Sequence, residues 1–221
     1  MGVAAVLLDL DGTLVDTAPD LVAVLNQLLV ERGRTRMPYA IARNEVSNGA
    51  GGLLRLGFGD LTTSDEIERL RPRFLELYAA DVSSKSRLFI ELRDLDEVAS
   101  STKLGIVTNK PDAYTRPLLA ALKLAERVGC VVSGDRLPQR KPDPAPLKLA
   151  AEELGVAAPR CVYVGDAPRD IEAGKAAGMA TIAAAYGYIR PRENPFAWGA
   201  DAVIRRPGEL GAALAALGSA Q

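Results

Sequence analysis

The sequence predicts an α/β fold, a doubly wound parallel sheet forming a core, with a helical cap inserted after the first strand. Three observations carry this expectation. Short apolar runs rich in Val, Ile or Ala are continuous rather than alternating, as in strands buried on both faces. Amphipathic helical patterns fall between or after these runs, so strand and helix alternate. The alternation breaks once, over residues 17–86, where the patterns are helical.

The runs are "VAAVLLD" (3–9), "LGIVTN" (104–109), "CVVSGD" (130–135), "CVYVGD" (161–166) and "ATIAAAY" (180–186), with "AVIRR" (202–206) as a sixth strand at an edge. Core helices are expected over 112–125, 145–155, 168–178 and 207–217. The core is therefore assigned to 1–16 and 87–221, and the cap to 17–86. Within the cap, Thr17 with Asp20 has the spacing of a capping box, ahead of a helix whose Leu21, Val24, Leu25 and Leu28 share one face. Thr63 with Glu66 repeats it before "IERLRPRFLELYAA", where Pro72 is expected to kink or divide the helix. "NGAGGLLRLGFG" (48–59) reads as a loop or the start of a helix.

With 221 residues, 48% hydrophobic and 25% charged, the chain has the make-up of a folded soluble protein holding one large domain or a core plus an insertion. A net charge of −1 supplies no basic field, so neither nucleic acid nor a membrane surface is an expected partner. The first apolar stretch has no basic residues before it and is interrupted by Asp9, so no secretory signal is expected. Val6 stands where a myristoylation signal needs Ser or Thr. Two cysteines, Cys130 and Cys161, fit a reducing, cytoplasmic location better than a disulfide framework. There is no histidine, which excludes a Ser-His-Asp triad, a phosphohistidine and imidazole metal ligands.

Chemistry must then come from other groups, and the strand ends supply them. The first run ends on Asp9 and Asp11, the second on Thr108 and Asn109, and the fourth on Asp166. Ligands of open parallel sheets bind outside those carboxyl ends. "KPDP" (141–144) adds Lys141 in a Pro-stiffened loop, and "GDAPRD" adds Asp170. Clustered carboxylates suit Mg²⁺, and a metal with Lys141 would neutralise a transferring phosphoryl group. If the chain turns at Gly12, Asp9 and Asp11 can flank that group, one as nucleophile and the other as general acid and then base. Ionised carboxylates at the end of a buried strand are tolerable when cations offset them.

"DLDGT", "VTN", "KPDP" and "GDAPRD", in this order, resemble the four motifs of the haloacid dehalogenase-like superfamily, over nearly the whole chain. The resemblance implies a Rossmann-like core and a phosphatase with a helical cap. It implies Asp9 as nucleophile, Asp11 as acid/base, and Thr108 and Lys141 as phosphoryl-binding groups. Asp9, the carbonyl of Asp11 and Asp166 would ligate Mg²⁺, with Asp170 among or beside the ligands. "LVDTAPD", "NGAGGLL", "VTNKP" and "YGY" look like bacterial phosphoglycolate phosphatase-type enzymes. "YGYIRPRENPFAWGAD" (186–201) and "RNEVSNGAGG" look closer to N-acetylmuramic acid 6-phosphate phosphatases, a cell-wall recycling branch of carbohydrate metabolism. Two features depart from the family pattern. Ala167 follows Asp166 where a polar residue is common, and no Pro-Gly turn follows "LF" ahead of the first core helix. The first is expected to weaken metal binding or admit a water, the second to alter the hinge or that helix rather than the chemistry.

The expected substrate is a small phosphate ester, 2-phosphoglycolate or N-acetylmuramic acid 6-phosphate, and the expected assembly is a monomer or small homo-oligomer. Residues 17–84 hold eight arginines and no lysine. Most are expected on solvated faces, but arginine is the better carboxylate clamp, and both substrates carry a carboxylate. Arg43 is the candidate clamp, with Asn48, Gly49 and Asn109 as further substrate-binding residues. The missing cap lysine argues against a Schiff-base phosphonate-cleaving relative, and the missing histidine against a sugar-phosphate mutase. A phospho-acceptor signalling domain would have Asp, Thr and Lys at similar strand ends, but no use for Asp11 or a long insertion. A haloacid dehalogenase would not need Asp11, Lys141 and "GDAPRD" together. Asp-Gly alone is a turn signal, and Asp166 with Asp170 could simply open a helix. Cys130 and Arg136 have the spacing of a cysteine phosphatase, but Asp135 in the loop would repel phosphate.

Overall fold

The computed structural model describes residues 2–59 and 63–219. The strands are β1 (Ala5–Leu8), β2 (Val15–Asp16), β3 (Arg87–Leu88), β4 (Lys103–Val107), β5 (Cys130–Val132), β6 (Cys161–Gly165), β7 (Ala180–Ala184) and β8 (Ala202–Ile204). Six of them form one parallel sheet in the order β5-β4-β1-β6-β7-β8. The chain thus starts at the centre, works out to β5, and returns across β1 to build the other half from β6. This is the doubly wound order with its switch point between β1 and β6, where a crevice opens at the carboxyl ends.

All four residues of β1 are buried, and they divide between two layers. Val6 and Leu8 join the larger core with Leu104, Ile106 and Val164, which continues beneath the inserted helices. Ala5 and Leu7 join a second core with Leu147, Ala150, Leu154 and Tyr163. Each buried leucine contributes about 2 kcal/mol by leaving water, so the central strand has no face free to slip.

Helices α1 (Ala18–Glu31), α2 (Tyr39–Ala42), α3 (Gly49–Phe58) and α4 (Ser64–Ala80), with a 3-10 turn over Arg43–Asn48, lie between β2 and β3. The core carries α5 (Leu92–Ala99), α6 (Asp112–Ala121), α7 (Ala145–Leu154), α8 (Pro168–Ala176) and α9 (Leu210–Ser219). Leu21, Val24, Leu25 and Leu28 of α1 are all buried, as their spacing requires. β2 and β3 pair antiparallel, Val15 opposite Leu88 and Asp16 opposite Arg87. This ribbon is too short to carry a sequence pattern and is not among the expected strands.

Several boundaries differ from expectation. The runs of β1, β4 and β6 end early because Asp9, Thr108 and Asp166 leave the sheet for the site. α6 stops at Ala121, and Pro207–Glu209 is a 3-10 turn ahead of α9. In the "NGAGG" stretch Asn48 ends the 3-10 turn, and the four residues after it form the first turn of α3. Pro72 does not divide α4, which runs unbroken from Ser64 to Ala80. Pro72 is exposed, so water can satisfy the carbonyl it leaves free.

Of the two capping boxes, the one at Thr63 forms, with Glu66 N donating to Thr63 Oγ1 at 3.3 Å and Thr63 N to Glu66 Oε2 at 2.7 Å. The one at Thr17 does not. Thr17 Oγ1 donates instead to Asp11, and Asp20 accepts from Ser84, Lys85 and Ser86. The Tyr188 hydroxyl caps α1, accepting from Thr17 N at 2.7 Å and Ala18 N at 2.9 Å.

Candidate active site

Asp9 follows β1, Thr108 follows β4, and Asp166 follows β6, so three adjacent strands deliver them to one rim. Between Asp9 and the helical insertion the chain turns at Gly12, whose φ of +88° suits glycine. A Cβ there would meet Asp166 Oδ2 at 2.1 Å, so the turn and the carboxylate fit only without a side chain.

Lys141 is the hub. Its Nζ lies 2.8 Å from Asp9 Oδ1 and 2.8 Å from Asp170 Oδ1, and donates to Val107 O at 3.1 Å and to the Tyr163 hydroxyl at 2.6 Å. Tyr163 passes a hydrogen bond on to Val107 O at 2.9 Å. Burial alone would discharge the ammonium, but Asp170 and Asp9 outweigh it and hold Lys141 above its ordinary value. Burial raises the Asp9 carboxyl, against the pull of Lys141. The Lys141 loop is tied to the strand end by a reciprocal pair: Asn109 Nδ2 donates to Lys141 O, and Lys141 N to Asn109 Oδ1, each at 3.1 Å.

Asp9, Asp166 and Asp170 each place a buried carboxylate oxygen within 4.8 Å of the others. Asp166 Oδ2 accepts from Tyr188 N and from Ser47 Oγ, both at 2.8 Å. Its Oδ1 is buried without a partner. Burial, then the charges of Asp9 and Asp170, lift the Asp166 carboxyl to about 7. Among the described residues Lys141 and Arg169 are the cations acting on these acids, and neither forms an ion pair with Asp166. An all-oxygen donor set with an orphaned carboxylate oxygen fits Mg²⁺. Asp170 is the most committed of the three, its Oδ1 held by Lys141 and its Oδ2 by Ala167 N at 3.0 Å.

The Asp11 side chain points away from this cluster. Its Oδ1 accepts from Lys110 Nζ at 3.0 Å and from Thr17 Oγ1. Asp9, Asp11, Thr108, Asn109 and Lys110 line the floor of a cavity of about 400 Å³. Asn48, Gly49, Arg55, Arg71, Phe74, Leu75 and Tyr78 of the insertion roof it, and Tyr114 and Arg140 of the core complete the wall.

The structure thus gathers Asp9, Asp11, Thr108, Asn109, Asn48 and Gly49 on one cavity, with Lys141, Asp166 and Asp170 behind Asp9. Arg43 is not on its wall. Its guanidinium donates to Gly187 O at 3.1 Å and Tyr186 O at 3.4 Å, and lies over the Tyr188 ring. Those backbone carbonyls consume the fork that a substrate carboxylate would need. Cys130 lies buried in β5, and burial pushes its thiol up to about 11, the wrong direction for a thiolate nucleophile. Sequence reasoning passed over Lys110, Tyr163 and Ser47. A lysine directly after "VTN" and a hydroxylated ring in the apolar run "CVYVG" were the available signals for two of them; Ser47 had none.

Comparison with known proteins agrees with this layout. The haloacid dehalogenase-like hydrolase family matches residues 6–184. An N-acetylmuramic acid 6-phosphate phosphatase of Pseudomonas putida is 41% identical over 212 residues, covering 95% of this chain and 95% of its own. A phosphoglycolate phosphatase of Xanthomonas campestris is 41% identical over 210 residues, covering 93% of this chain and 94% of its own. A crystal structure described as a predicted phosphoglycolate phosphatase from Haemophilus somnus superposes with a TM-score of 0.84 at 26% identity, over 95% of this chain and 97% of that one. Motif order, sheet order and relatives agree along nearly the full length: the chain belongs to the haloacid dehalogenase-like hydrolases, as a phosphoric monoester hydrolase.

Proposed function

We propose that the enzyme is a Mg²⁺-dependent phosphatase of N-acetylmuramic acid 6-phosphate, acting through an aspartyl-phosphate on Asp9. The cavity carries the choice of substrate. At about 400 Å³, walled by Leu21, Phe74, Leu75, Tyr78 and Tyr114, it suits a sugar ring, and a two-carbon acid phosphate would leave most of it to water. Its far wall holds Arg55 and Arg71, whose side chains approach each other over Gly51. Glu68 engages Arg71 at 2.7 and 2.8 Å, so Arg55, with Arg140 across the cavity, is the group to meet the lactyl carboxylate. Asn48 and Gly49 offer polar and backbone groups to the sugar.

In the first step an Asp9 carboxylate oxygen attacks phosphorus, and the bond to the sugar oxygen breaks as that oxygen takes a proton from Asp11. In the second, Asp11 removes a proton from water, which attacks phosphorus and frees Asp9 and inorganic phosphate. Lys141 holds Asp9 in position, and Thr108 donates its hydroxyl to a phosphoryl oxygen. Mg²⁺, held by Asp9, Asp166 and the Asp11 carbonyl with Asp170 beside them, would supply the positive charge that the phosphoryl oxygens require. The insertion acts as a cap, excluding water during attack. Two buried, unpaired cysteines support a cytoplasmic location.

The test is phosphate release with Mg²⁺ from N-acetylmuramic acid 6-phosphate and from 2-phosphoglycolate, with Asp9→Asn as control. The expected result is a higher kcat/KM for the sugar acid and no turnover by the variant. Preference for phosphoglycolate overturns the substrate, and an active Asp9→Asn overturns the mechanism.

A further inference from the structure

Ser47 belongs to the 3-10 turn of the insertion and lies 119 residues from Asp166 in sequence. Yet its hydroxyl and its carbonyl are both spent on the segment that carries the Asp166 carboxylate. Its hydroxyl donates to Asp166 Oδ2 at 2.8 Å, and its carbonyl accepts from Arg169 Nη2 at 2.8 Å. With Tyr188 N on the same oxygen, Asp166 is held by Oδ2 and presents a buried, unpartnered Oδ1. Two donors on one oxygen fix the plane of the carboxylate and hence the direction in which the other points. Ala167, next to Asp166, carries no side-chain donor, and the hydroxyl on Asp166 comes from the insertion.

The turn is seated by more than this serine. Arg43 bonds Gly187 O and lies over Tyr188, and Glu45 Oε2 accepts from Arg190 Nη2 at 2.7 Å. The core side of these contacts, residues 186–190, also supplies the Tyr188 amide that holds Asp166. One small surface therefore decides both whether the insertion rests on the core and how Asp166 is aimed.

We propose that Ser47 is a positioning residue through which seating of the insertion and cation binding at Asp166 stabilise each other. This rests on the Mg²⁺ reading above. A hydroxyl that orders a ligand in the seated state must, by reciprocity, be drawn into place when the cation binds. The bond does not compete with the cation, because it occupies the oxygen opposite the free one.

The test is calorimetric titration of MgCl₂ into metal-free wild type, Ser47→Ala and Ser47→Thr, with amide hydrogen exchange of residues 43–48 with and without Mg²⁺. Ser47→Ala should bind Mg²⁺ about tenfold more weakly or worse, and Ser47→Thr should restore most of the loss. Mg²⁺ should slow exchange across 43–48 in wild type and not in Ser47→Ala. Unchanged or tighter binding by Ser47→Ala overturns the proposal. So does exchange in wild type that ignores Mg²⁺, a result that stands even if the alanine variant fails to fold. If wild type binds no Mg²⁺, the metal reading itself falls and takes this one with it. Binding that Ser47 does not affect leaves the metal reading intact.

Discussion

Lys110 Nζ stands 3.0 Å from Asp11 Oδ1 and 4.6 Å from the centre of the Tyr78 ring, bridging two strand-end loops to the insertion at the floor of the cavity. Burial opposes its charge, but Asp11 and Tyr78 outweigh burial and hold it above the ordinary lysine value. The ammonium therefore orients the proposed acid/base and adds positive charge beside the phosphoryl site. Lys110→Met should lower kcat/KM by about tenfold or more while the protein stays folded. Initial rates beside a thermal melt check both halves.

Lys141 should matter to the fold as much as to the chemistry. Its ammonium is buried between Asp9 and Asp170, and Lys141→Met leaves both acids buried without it. Breaking a buried charge cluster from one side costs about 3–5 kcal/mol. For a chain of this size the melting temperature should fall by about 10 °C. A melt in the absence of Mg²⁺ isolates the effect, and an unchanged Tm would remove Lys141 from its place as hub.

The pH dependence of the metal-free protein follows from Asp166, raised from 3.8 to about 7 by burial and then by Asp9 and Asp170. The folded state holds this proton more tightly than the unfolded chain. The stabilisation is fully present below the unfolded value and is lost as pH rises through the folded one. Metal-free Tm should accordingly decline between about pH 4 and pH 7 through this group. Mg²⁺ needs the ionised carboxylate, so saturating Mg²⁺ should raise Tm more at about pH 8 than at about pH 5.5. Melts across that range with and without the metal give the answer.

Arg55 should separate substrates by charge. Arg55→Ala is expected to raise KM for N-acetylmuramic acid 6-phosphate about tenfold with kcat nearly unchanged, the signature of lost uniform binding. N-acetylglucosamine 6-phosphate lacks the carboxylate and should lose much less. Equal losses for both would place Arg55 on the phosphate.

Tyr188→Phe should cost about 2 kcal/mol, because the amides of Thr17 and Ala18 would lose their acceptor at the start of α1. Thermal unfolding of the variant measures it.

That cap also shows where sequence reasoning stops. Thr17 and Asp20 have the spacing of a capping box, but spacing is local and their partners are not. Thr17 Oγ1 is claimed by Asp11, Asp20 by Ser84, Lys85 and Ser86, and the cap comes from a tyrosine 171 residues away. Thr63 and Glu66, exposed and without competitors, behave as their spacing says. The parallel sheet was legible because burial on both faces leaves a continuous apolar run for each core strand. That Asp9, Thr108 and Asp166 share one rim was legible because each directly follows a core strand, and Lys141 stood out only through its motif in a loop. Ser47 was not legible, since its contacts exist only once the insertion lies against the core, and Lys110, though it directly follows "VTN", finds its partner Asp11 only across 99 residues of sequence. Arg43 shows the same limit in reverse. It stood out among the arginines by sequence, but Gly187 and Tyr186 carbonyls lie within its reach and take its fork.

The ribbon joining Val15 to Leu88 and Asp16 to Arg87 has a consequence for descent. Both crossings between core and insertion pass through it side by side, so everything between them begins and ends at one spot. Such a segment can be replaced, lengthened or redrawn as a cassette, provided that it keeps a hydroxyl for Asp166 where Ser47 stands. The reaction and the choice of what reacts are thereby heritable apart, and a chimera cut at these four residues should carry its preference with the grafted half.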